Sequence, residues 1–219
     1  SRLVMQLRSV IVSANQVMIP VVAQANVLNK QKIKEIYTKS MSFLLLFNIL
    51  FVVVIIISAP LVSILWIGHL QSTFVISVYI LSVSMFINIL CGSAYFSFLG
   101  EGDMNILLVT HLFMAIANIS LGYFGGQWLM GTGVILAWAV SLSIGSWWCM
   151  HSYQRKNKIK YSDFLHSQDS VLILISILLT IGFSWLFWNE LKLEKLAIYT
   201  FITLIIFIPF LFTHTATKQ

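Results

Sequence analysis

Arg2, Gln6, Ser9, Ser13, Gln16, Pro20 and Gln24 follow one another at steps of three or four residues. On an α-helix that spacing gathers them within an arc of about 80°. Arg8, Asn15 and Asn26 form a second, narrower stripe, and the rest of the helix surface is Val, Ile, Leu, Met and Ala. These side chains suit recognition rather than bond-making. The amides and hydroxyls donate and accept hydrogen bonds, and each guanidinium is a planar fork matched to phosphate. In lipid such a stripe cannot face the acyl chains, because each unpaired polar group would cost several kcal/mol. It lines a hydrated cavity or supplies hydrogen bonds between helices, and its unbroken length favours the cavity. Arg8 lies about 9 Å deeper than Arg2 along the helix. It can snorkel to the outer head groups, or face a cavity and pair with an anionic substrate such as a phosphate.

A second polar face follows at Ser77, Ser84, Asn88, Cys91, Gly92 and Tyr95, which can line the same cavity. The candidate substrate-binding residues are therefore Arg2, Gln6, Arg8, Ser13, Gln16, Gln24 and Asn88. His111 aligns with Asn118 and Gly122, and its place near a span end reads as a shallow structural histidine. Ser141 and Gly145 form a small-xxx-small pair that lets helices approach closely. Cys91 and Cys149 sit in apolar runs and read as small buried hydrophobes. There is no metal-spaced His/Cys/Glu cluster, no Gly-rich phosphate loop and no pair of carboxylates within an apolar span. Neither a catalytic residue nor a cofactor is expected.

The elements that must position these residues are long apolar helices. The chain is 59% hydrophobic and 9% charged, with a mean hydropathy of +0.93, against about 25% charged residues in soluble domains. Seven stretches reach the roughly 20 apolar residues a spanning helix needs: residues 3–28, 41–66, 73–99, 106–124, 133–151, 170–189 and 196–213. The fold expected is a single all-α, polytopic transmembrane bundle over residues 1–219. The net charge of +6 does not point to nucleic acid, because the cations cluster in connections. Lys30, Lys32, Lys34 and Lys39 follow the first span. Arg155, Lys156, Lys158 and Lys160 follow the fifth, and Lys218 lies in the tail. The positive-inside rule puts these segments and the C-terminus in the cytoplasm, beside anionic lipid heads. The outer connections, 67–72, 125–132 and 190–195, are short, and none resembles a folded domain.

The order of features resembles the C-terminal half of the polysaccharide flippases, the O-antigen or lipid-linked oligosaccharide translocases of the multidrug/oligosaccharidyl-lipid/polysaccharide exporter superfamily. The residues that carry the likeness begin with Ser13-Ala14-Asn15-Gln16-Val17-Met18-Ile19-Pro20, followed by Lys34-Glu35-Ile36-Tyr37-Thr38-Lys39-Ser40. Next come Ala59-Pro60-Leu61-Val62-Ser63-Ile64-Leu65-Trp66-Ile67-Gly68, the stretch from Asn88 to Tyr95, and Gly100-Glu101-Gly102-Asp103-Met104-Asn105. The likeness covers residues 1–150. It implies most of one lobe of a two-lobed, alternating-access transporter, with the N-terminal lobe lying outside this sequence. It also implies a multi-pass protein of the bacterial inner membrane. Its substrate would be undecaprenyl-pyrophosphate-linked oligosaccharide for O-antigen, capsule or lipopolysaccharide assembly, with Arg8 and Arg2 engaging the pyrophosphate or acidic sugars. The partners implied are membrane lipids and, beyond the substrate, a polysaccharide polymerase and a chain-length regulator. Two other activities compete. A multidrug/cation antiporter of the same superfamily would couple to buried carboxylates, whereas all seven acids here lie outside the spans. A polymerase would need a sizeable outer loop.

Overall fold

In the computed structural model, residues 16, 18–28, 30–165, 173–178 and 180–183 are described. Among them the regular structure is helical: α1 Met18–Leu28, α2 Lys30–Ile67, α3 Ser72–Glu101 and α4 Met104–Lys156, then a 3-10 turn at Tyr161–Asp163. Three of these, α2, α3 and α4, are long and apolar enough to cross a membrane. A short apolar helical stretch, Ile173–Phe183, follows. Most of the first expected span, half of the sixth and all of the seventh lie outside the described residues. Arg2, Gln6, Arg8 and Ser13 lie there too.

The helix ends follow from local chemistry. Gly68 closes α2 at φ +85°, with its N–H bonded to Ile64 O at 2.9 Å. At the end of α3, Gly102 takes φ +76°, its N–H bonds Leu99 O, and the Asp103 N–H bonds Phe98 O. That pair of bonds is the Schellman arrangement, which glycine enters without a Cβ clash.

Two connections differ from the sequence expectation. The lysine-rich segment after the first span is not a loop but the opening of α2. Lys and Glu are good helix formers, and Glu35 pairs with Lys39 one turn on, at 2.7 Å. The outer connection 125–132 is also mostly helix. The two arms of α4 meet at Met130, whose φ of 51° and ψ of −134° break the helix. They form a hairpin in which Gly133 lies directly against the backbone of Gly125, where any Cβ would collide. Gly145 likewise lies against the side chain of Met114.

The chain divides into two compact units, residues 1–45 with 83–166 and residues 46–82 with 167–219. In the second unit, Val53 and Ile57 are buried along α2. Ser63 closes the following turn, donating to His69 O at 3.2 Å and accepting from the Gln71 N–H at 3.0 Å. In the first unit, α1 packs on α3 so closely that a Cβ at Gly100 would stand 2.8 Å from Val22 Cβ. The first arm of α4 turns Leu108, Leu112, Ile116 and Ile119 outward. Such an apolar stripe is a liability in water and is suited to a lipid solvent.

Candidate functional site

Within the first unit, α1, α3 and both arms of α4 surround a cavity of about 440 Å³. Gln16 enters from the start of the described chain. Asn88, Cys91, Gly92 and Tyr95 come from α3, and Thr110, His111, Ser146 and Cys149 from α4. The α3 residues lie three, four and seven positions from Asn88 and share one face. No Asp, Glu, Lys or Arg lines the cavity among the described residues.

The polar groups in the wall are held in three ways. Asn88 Nδ2 donates to Ser146 Oγ at 2.9 Å, joining α3 to the second arm of α4. His111 meets the Tyr95 ring edge-on at 5.8 Å between centroids. The Thr110 hydroxyl oxygen is buried and has no hydrogen-bond partner among the described residues. A buried orphan hydroxyl is uncommon in folded proteins and asks for an explanation. Both cysteines are buried and free. Among the described residues no group of three His, Cys, Asp or Glu side chains could hold a metal ion. The wall as a whole offers amide, hydroxyl and imidazole groups set among Ile19, Leu107 and Met114. It can recognise an uncharged, hydroxyl- or amide-bearing ligand and, among the described residues, holds no cation to pair with a free anion.

Of the candidates chosen from sequence, Gln16 and Asn88 come together in this cavity. Gln24 is exposed on α1 and does not line it. Ser77 is spent on its own helix, donating to Thr73 O at 2.6 Å. His111, read from sequence as a shallow structural residue, is part of the cavity wall. Thr110 and Ser146 were not singled out by any sequence signal, since a lone hydroxyl on an apolar helix carries no pattern.

A different set of polar residues ties the lysine-rich end together. Tyr37 of α2 and Tyr153 of α4 are both fully buried, with ring centroids 4.9 Å apart. Phe98 of α3 meets Tyr153 edge-on, also at 4.9 Å. Tyr153 OH donates to Glu101 Oε1 at 2.8 Å, and Gln154 Nε2 donates to Tyr37 OH at 3.1 Å. Lys156 then bridges Glu101 and Asp103, at 2.8 Å to each. Asp103 precedes α4 but does not cap it with its side chain, which is committed to Lys156. Farther out, Lys34 holds Asp163 at 2.7 Å, and Asp163 also accepts from the Lys160 N–H at 2.9 Å. These two contacts, the Lys34 bond first, hold the Asp163 carboxyl below its ordinary pKa.

Comparison of the chain with protein-family models, with curated proteins and with solved structures returns no match.

Proposed function

We propose that this chain is part of a membrane exporter that flips lipid-linked oligosaccharide units, carried on undecaprenyl pyrophosphate, for surface polysaccharide assembly. The observation that carries the reading is the cavity beside Asn88. It brings Gln16 of the polar stripe together with Asn88, Thr110 and Ser146, is lined by no charged residue among the described residues, and sits among helices whose outer faces are apolar. A glycan head is rich in neutral hydroxyls and amides, which is what this wall can bond. Its lipid tail needs apolar helix faces, which α4 supplies. The likeness of the quoted segments to polysaccharide flippases supports the same reading. On it, the protein crosses the inner membrane seven times in this region, with the lysine-rich end and the C-terminus in the cytoplasm, and works by alternating access rather than as an enzyme. Arg2 then belongs to the same polar stripe as Gln16, and Arg8 to the second, narrower stripe of the same expected span.

Deleting the gene in the source organism and assaying both surface glycan and lipid-linked repeat units tests this. Loss of surface glycan, with single units held on the cytoplasmic leaflet, is expected. Units that reach the outer leaflet but remain unjoined would point to a polymerase instead. Unchanged glycan, where no second exporter covers the loss, would reject the proposal.

A further inference from the structure

Cys91 of α3 and Cys149 of α4 both line the Asn88 cavity, and both are buried. The packing of their helices decides how they stand to each other. Asn88 bonds to Ser146, and the Lys156 ammonium lies 5.5 Å from the centre of the Phe98 ring. Each contact joins residues 58 positions apart. The later residue on α3 thus meets the later one on α4, so α3 and the second arm of α4 run parallel in one register. Cys91 and Cys149 share that separation of 58. They lie three residues after Asn88 and Ser146 and seven before Phe98 and Lys156. Steps of three and seven keep residues on the shared seam of a parallel helix pair. The seam therefore sets the two sulfurs face to face, and the two thiols are hydrogen-bond partners.

A single buried cysteine serves as a small hydrophobe. Two thiols in contact have a further chemistry, because a disulfide forms only where facing cysteines already stand close together. We propose that Cys91 and Cys149 are a modification site, a thiol pair that a small uncharged two-electron oxidant converts to a disulfide linking α3 to the second arm of α4. Two S–H bonds break and one S–S bond forms, while both protons and both electrons pass to the oxidant. The cavity that the sulfurs line gives the oxidant its way in. Once joined, the two helices move as one wall of that cavity. The proposal goes beyond the exporter reading and does not depend on it, since the link is read on the protein alone.

The test uses the full-length protein in phosphatidylcholine nanodiscs, treated with azodicarboxamide (diamide), whose N=N bond takes up the two hydrogens. Remaining thiols are capped with N-ethylmaleimide in denaturant, and the peptides are read by mass spectrometry. A linked Cys91–Cys149 peptide pair is expected, and dithiothreitol should reverse it. The double variant Cys149→Ser, His151→Cys keeps two thiols but moves one to an exposed position on the same arm. Its linked yield should be at least tenfold lower, because the sulfurs no longer start in contact. In the wild-type protein the link should also raise the thermal midpoint, since it closes a loop between residues distant in sequence. Absence of the linked pair would overturn the proposal. So would a displaced pair that links as well as the native one, or a linked protein that melts below the reduced one. Either result would mean that the sulfurs meet only when the helices come apart.

Discussion

Two polar side chains of α3, Glu101 and Asn88, bond across to α4 and are treated in opposite ways. At Glu101, the carboxylate, two tyrosines, a glutamine and a lysine from three helices satisfy one another. Thirteen residues back, about 20 Å along the helix, Asn88 bonds across to Ser146, and the Thr110 oxygen has no partner among the described residues. A network closed on itself contributes to stability and has little capacity left for a ligand. A wall with capacity to spare contributes little to stability and can bind. This contrast is why we assign recognition to the Asn88 cavity and a structural role to the Tyr153–Glu101 network.

Substitutions can separate the two regions. Tyr153→Ala removes a fully buried ring that touches Tyr37 and Phe98. It should cost about 3–5 kcal/mol, the range for deleting a buried aromatic side chain, and appear as a large fall in thermal midpoint in detergent. Glu101→Gln leaves Lys156 with Asp103 as its remaining partner, so its cost should be smaller, about 1–3 kcal/mol. Asn88→Leu should lower stability by only about 0.6 kcal/mol, the average for a polar contact between membrane helices, while reducing glycan export at least tenfold. If Asn88→Leu and Glu101→Gln destabilised the protein equally, and export merely followed the amount of folded protein, the contrast would be broken.

The smallest expected effect is that of pH on the Lys34–Asp163 link. Asp163 has a depressed pKa in the folded protein. Its contribution is therefore present in full above the ordinary aspartate value of about 4 and is lost as pH falls through the lower, folded value. Acidification should raise protease access to residues 157–165. Opening of that segment at neutral pH, with no further change on acidification, would remove the assigned role of the pair.

Much of the helical skeleton was legible in the sequence because long apolar runs leave few alternatives, and because Gly68 and Gly102 stand where α2 and α3 stop. The lysine-rich opening of α2 was read as a connection on charge alone, although Glu35 and Lys39, four residues apart, already signalled a helix turn. The closeness of the α4 arms was only partly legible. Gly145 announces a close approach, but the Gly125–Gly133 contact depends on where Met130 breaks the helix. The cavity was half visible, through the faces that carry Gln16 and Asn88. Thr110 and Ser146 were not, since hydroxyls on apolar helices often bond their own backbone, as Ser82 does with Val78 O and Ser141 with Ala137 O. The Tyr37–Tyr153 pairing joins residues far apart in sequence and exists only once α2 and α4 are packed.

The most direct test of the central claim is transport in proteoliposomes that contain the full-length protein and a fluorescent lipid-linked oligosaccharide. The fraction of substrate open to an external glycosidase is followed over time. The account predicts that wild-type protein exposes substrate from the inner leaflet and that Asn88→Leu protein, folded and inserted in equal amount, does so at least tenfold more slowly. Equal rates for the two proteins, or no exposure above that of protein-free vesicles, would contradict it.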